Sequence, residues 1–149
     1  MTRPVFVYAI FIKAPQEAVF DALTDPVMTR DYWLHENASD WKVGSTWRHV
    51  PTEGDADHGG GKVLEVDRPN RLVFSWGETT DLSDPEKVGQ VTFTLSTQAG
   101  ATRLVVTHEV ISEQELNDVS EGWPSVLSSL KSLLETGTSL GDLWGRGEA

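Results

Sequence analysis

The stretch GWPSVLSSLKSLLETG, Gly122 to Gly137, restricts what this chain can fold into more than any other. Its apolar residues, Trp123, Val126, Leu127, Leu130, Leu133 and Leu134, recur at steps of three and four and form one stripe at helical period. Ser125, Ser128, Ser129, Lys131, Ser132 and Glu135 fall between them and are expected to face water. Pro124 suits a first helical turn, where a missing N–H is tolerated. Gly137 suits a left-handed position just past the last turn. A helix so one-sided needs an apolar surface to lie on, and the residues before it have to provide one.

Their pattern is that of a sheet. Val5 to Ile12 is rich in β-branched and aromatic residues and apolar on both faces, so it is expected to be central or covered on both sides. Pro15 to Leu23 reads as a short helix with Ala18, Val19, Ala22 and Leu23 on one side. Asp25 caps a second short helix, with Pro26 at its first position, that runs toward Trp33. From Ser39 onward the chain alternates. Strands are expected at Ser45 to Val50, Lys62 to Asp67, Arg71 to Glu78, Val88 to Thr97 and Thr102 to Ile111. The acidic, Gly-rich loop Pro51 to Gly61 is expected to be mobile. The turns Arg68-Pro69-Asn70 and Gln98-Ala99-Gly100 are short, which implies an antiparallel meander. Ser112 to Glu115 has capping-box spacing and predicts a short helical turn ahead of the long helix.

With 149 residues, the chain is most simply one domain, residues 1–137, followed by a Gly-rich tail at 138–149. Six Trp and five Phe give it enough apolar bulk for a real core. There is no cysteine, which excludes disulfides, thiol catalysis and Cys-type zinc sites. A net charge of −11 argues against nucleic acid and anionic membranes as partners. No apolar run approaches the roughly 20 residues that span a bilayer, so membrane insertion is not expected. The N-terminus lacks a signal-peptide pattern, and a cytoplasmic location is the expectation. The fold class read from this order is α+β: a curved antiparallel sheet of about six to seven strands, two short helices, and a long C-terminal helix, which the sheet, if strongly curved, can grip with a cavity between the two.

In that order and spacing, several segments resemble a known superfamily. They are Tyr8 to Pro26 with its AVFDALTDP, Tyr32-Trp33, Ser39 to Gly44, Gly61 to Val66, Arg71 to Trp76, Thr102 to His108 and Gly122 to Gly137. Together they resemble the START/polyketide-cyclase/pollen-allergen (SRPBCC) superfamily, the helix-grip fold. Within it the chain is similar to the branch named for the activator of heat-shock protein 90 ATPase, in its single-domain bacterial form. The resemblance implies a hydrophobic cavity and a role in binding or stress response, without a shared catalytic motif.

The tryptophans are the most informative candidates. Trp33, Trp41, Trp47, Trp76 and Trp123 lie in the expected body and Trp144 in the tail. Such residues are first of all core, but several of them in a cavity-bearing fold point to a pocket for a flat or greasy ligand. Strand parity turns Phe74, Trp76, Phe93, Leu104, Val106 and His108 toward the helix. Trp123, Leu127 and Leu130 would line the opposite wall, and Trp33 and Trp47 complete the candidate set.

His108 is the one ionisable residue on an otherwise apolar strand face. It reads as a buried neutral imidazole satisfied by a hydrogen bond, as a group orienting a ligand carbonyl or hydroxyl, or as a general base. His49 alternates with Arg48 and shares the parity of Trp47. The four histidines show no metal-ligand spacing, and Asp55, Asp57 and His58 in the acidic loop read as solvated, so no metal is implied. No nucleophile elbow, P-loop or dinucleotide fingerprint occurs, so no cofactor or catalytic residue is assigned. Gly59-Gly60-Gly61 precedes a strand rather than a helix and is no phosphate cradle. Three functions follow. The first is a carrier or sensor for a small hydrophobic, aromatic or lipid-like molecule. The second is a cyclase- or hydrolase-like enzyme using the same cavity. The third is an interaction module in contact with a chaperone.

Overall fold

The structure is a computed structural model and describes residues 3–52, 58–78, 82–141 and 143. The strands are β1 (Val5–Ile12), β2 (His35–Ala38), β3 (Thr46–Pro51), β4 (Gly60–Asp67), β5 (Arg71–Trp76), β6 (Gly89–Gln98) and β7 (Ala101–Glu109). They form one antiparallel sheet in the order β1-β7-β6-β5-β4-β3-β2, curled into a half-barrel. Helices α1 (Gln16–Thr24) and α2 (Pro26–Trp33) follow β1, and α3 (Glu113–Thr136) follows β7. This is the α+β helix-grip arrangement that the sequence implies. The His35–Ala38 strand was not expected; it pairs with β3, with Asn37 opposite His49. Its HENA sequence carries no apolar alternation, so it has no signal of its own.

The expectation for β1 is corrected. This strand lies at the edge of the sheet, and Val5, Val7 and Phe11 are exposed on its outer face. Apolar residues on both faces do not tell which face is covered. Phe6, Tyr8 and Ile10 pack against the core, while the outward face of β1 stays open.

The long helix is also longer than its apolar stripe. It begins at Glu113, where the Oγ of Ser112 accepts from the N–H of Glu115 at 3.1 Å. The capping box therefore starts the helix itself rather than a separate turn, and Pro124 falls in the interior. At the other end Gly137 has φ 86°, and its N–H donates to Leu133 O at 2.9 Å. Trp123, Val126, Leu127 and Leu130 are buried by α3. Ser129 is buried too, not facing water as expected, and its Oγ accepts from Leu140 N at 3.2 Å. Ser139 Oγ also bonds Asp31 Oδ1 at 2.7 Å, so the first residues after the helix are tied back to α2 and α3. The rest of the expected tail, like the centre of the Pro51–Gly61 loop with Asp55 and Asp57, falls largely outside the described residues.

The short helices are fixed by capping and burial. Asp25 Oδ1 accepts from Val27 N at 2.9 Å, and Pro26 fills the first helical position. On α1 the buried residues are Val19, Phe20, Ala22 and Leu23; Ala18 is only half-buried. Tyr32 is fully buried and donates its hydroxyl to Ala22 O at 2.9 Å, which locks α2 onto α1. The glycine run has a packing role. A Cβ at Gly61 would stand 2.2 Å from Ser75 O and one at Gly60 2.3 Å from Trp47 O, so glycine lets β3, β4 and β5 crowd together where the sheet curls.

Candidate ligand-binding site

A cavity of about 460 Å³ opens where β5 and β7 end and the first half of α3 begins. Its inner wall is Trp33 from the end of α2, Trp76 from the end of β5, Trp123 from α3 and His108 from β7. Ile111, Val119 and Val126 add apolar surface. Glu78, Lys87, Glu115, Asp118 and His58 supply the polar groups.

The three indoles pack on one another, with centroids 5.9 Å apart for Trp33 and Trp76, 5.3 Å for Trp33 and Trp123, and 6.0 Å for Trp76 and Trp123. Tilted and edge-on geometries dominate, as the ring quadrupole prefers. They form one continuous aromatic wall rather than an open cage.

His108 sits in this wall, its ring 5.8 Å from Trp76 and 5.9 Å from Trp123. The Trp123 Nε1–H donates to His108 Nδ1 at 3.0 Å. An indole nitrogen can only donate, so Nδ1 must be the bare nitrogen and the neutral ring carries its proton on Nε2. That Nε2 is buried and has no partner among the described residues, a condition shared there only with Trp41 Nε1. Burial lowers the His108 pKa to about 4, so the ring is neutral at ordinary pH. The site thus holds an unspent N–H donor beside three indoles.

Of the residues expected from sequence to bind a ligand, Trp33, Trp76, His108 and Trp123 come together at the cavity. Trp47, Phe74, Phe93, Leu104, Val106, Leu127 and Leu130 do not line it. All seven are at most 2% exposed and form the solid core between sheet and helix. Trp47, for example, spends its Nε1–H on Ser75 O at 2.7 Å. Parity correctly turns these side chains inward, but inward here means packed.

Sequence reasoning missed the acidic groups of α3, which lie ahead of the stretch taken as the helix. It also missed a histidine cluster. His35 and His49 stack with centroids 3.8 Å apart and planes 5° from parallel. The Nδ1–H of His35 donates to Trp33 O at 3.0 Å, leaving Nε2 to pair with His58 Nδ1 at 2.8 Å. His49 Nδ1 bonds Asn37 Oδ1 at 2.6 Å. Positions 35, 49 and 58 have no motif spacing; only the β2–β3 pairing brings the first two together. Stacked and bonded to one another, these rings do not converge on a point. Among the described residues no three His, Asp or Glu groups are placed to hold a metal ion. No helix there is long and apolar enough to cross a membrane.

The family model for activator of Hsp90 ATPase homolog 1-like proteins matches residues 13–135. No curated protein matches the chain. Among solved structures, CalU16 from Micromonospora echinospora is similar with a TM-score of 0.72 and 26% identity, over 89% of this chain and 77% of that one. DynU16, a protein of the dynemicin biosynthetic locus, gives 0.74 and 26% over 91% of this chain but only 48% of its own length. The Aha1 dimer from Colwellia psychrerythraea gives 0.73 and 23% over 90% and 98%. Matched over most of its length, the chain belongs to the family of activator of Hsp90 ATPase homolog 1-like proteins, within the SRPBCC superfamily.

Proposed function

We propose that the chain binds a small, flat, largely apolar molecule in the cavity beside α3, as a carrier or sensor, and that the molecule bears a hydrogen-bond acceptor. The observation that carries this reading is the buried Nε2–H of His108 in the tryptophan wall, which has no partner among the described residues. A buried donor left unpaired is costly, and a ligand carbonyl, ether or hydroxyl oxygen relieves that cost. A cavity of about 460 Å³ is within the usual range for small-molecule sites. The likeness to DynU16, from a biosynthetic locus, sits well with an organic ligand.

The tautomer also favours binding over general-base catalysis. The nitrogen left over after the Trp123 bond carries a proton, so it orients an acceptor and does not abstract hydrogen. Neither tyrosine helps: Tyr32 is spent on Ala22 O, and Tyr8 is outside the cavity. Titration with flavone, followed by tryptophan fluorescence, tests the reading. Saturable quenching that disappears in Trp76→Ala and weakens about tenfold in His108→Phe supports it. Quenching unaffected by either substitution refutes it.

A second reading, an interaction surface of the chaperone-linked kind, is favoured by the exposed apolar row Val5, Val7 and Phe11 on β1. Retention of the protein on an immobilised Hsp90-type ATPase, lost in Val7→Lys, supports that reading; no retention counts against it.

A further inference from the structure

The polar half of the cavity is not neutral. Glu78, Glu115 and Asp118 line it, against one lysine, Lys87. The guanidinium of Arg3 lies near, donating to Val88 O at 2.6 Å and Pro85 O at 2.9 Å, and its charge offsets part of the acidic excess at Glu115. Glu115 is half-buried, and its carboxyl is held above the usual range, first by that burial and then by the negative charges of Asp118 and Glu78. Three carboxylates around one recess, Glu115 half-buried and Asp118 and Glu78 exposed, repel one another, and a bound cation relieves that repulsion. The wall opposite suits the same charge, because the faces of Trp, more than of any other side chain, attract cations. The indoles touch, so a cation does not fit between them and has to lie between wall and rim. His108 adds an independent sign of a ligand: its ring lines the same cavity, and its buried Nε2–H has no partner among the described residues. A chain of net charge −11 draws cations toward this mouth and holds anions off.

We propose that the ligand is a cationic amphiphile: a flat or apolar body against Trp33, Trp76 and Trp123, and an ammonium, protonated or quaternary, against Glu115 and Asp118. This rests on the cavity being a ligand site, and it adds the charge of the ligand. An anionic fatty acid or a carboxylated aromatic is disfavoured by the same groups.

Three probes on one benzyl frame separate the two ideas: benzyltrimethylammonium, its carbon isostere neopentylbenzene, and the smaller anion phenylacetate. Each is titrated into the full chain at low salt with tryptophan fluorescence as readout. The ammonium is expected to bind about tenfold tighter than neopentylbenzene, and phenylacetate weakest. In Glu115→Gln/Asp118→Asn the ammonium's advantage is expected to collapse to about threefold or less while neopentylbenzene binds as before. These carboxylates are half-buried or exposed, so the variant folds. Equal or tighter binding of neopentylbenzene, or an ammonium preference that survives the double substitution, overturns the charge assignment and leaves the cavity standing. Binding of none of the three overturns both.

Discussion

Protonating His108 has to weaken the fold, and by an amount set by its surroundings. Burial lowers its pKa from 6.5 to about 4. Between those values the unfolded chain binds a proton that the folded chain does not, so stability rises with pH through that window and is lost as pH falls through it. Taking the two pKa values, lowering pH from about 7 to about 4.5 removes about 2 to 3 kcal/mol through this one residue. The chain carries three further histidines, so the informative quantity is a difference between two proteins. In His108→Gln the amide oxygen can still accept from Trp123, and the side chain has no charge to gain. Urea unfolding of both proteins across that pH range is expected to show the native chain losing about 2 to 3 kcal/mol relative to the variant, most of it below about pH 6. A difference that stays flat, or that grows in favour of the native chain as pH falls, refutes the buried neutral imidazole and the tautomer argument built on it.

Pro124 is inside α3, where it removes a backbone hydrogen bond. Pro124→Ala is expected to raise stability by about 1 to 3 kcal/mol in urea unfolding; unchanged or lower stability means that the proline is needed for the local helix path. Ser112→Ala removes the cap at Glu115 N and is expected to cost about 1 kcal/mol, with faster amide exchange confined to the first turn of α3. Exchange unaltered in that turn would show that the helix start is held by something else.

Much of the fold was legible because its signals are local and periodic. The alternation of Val91, Phe93 and Leu95 and of Leu104, Val106 and His108 gave the β6–β7 hairpin its inward face, and all six are buried. Capping chemistry at Asp25 and Ser112 marked helix starts, although Pro124 drew attention to the wrong one. The edge placement of β1 was not legible, because strand order is not written in a strand's own residues. Nor was the division between cavity and core. Trp47 and Trp76 share an aromatic cluster, with rings 5.0 Å apart, yet one closes the core and the other lines the cavity. Periodicity reports which way a side chain points. How far the opposing surface stands from it depends on the curl of the sheet and the placing of α3. The Trp123–His108 bond joins residues on separate elements and likewise left no trace in the sequence.

The most direct measurement is a long-range proton–nitrogen NMR spectrum of the histidine rings at neutral pH, recorded before and after saturation with flavone. His108 is expected to carry its proton on Nε2 with a bare Nδ1, and its Nε2–H resonance to shift when flavone is added. A proton on Nδ1, or a His108 ring that flavone leaves untouched while binding elsewhere, contradicts the claim that this nitrogen is the donor awaiting a ligand.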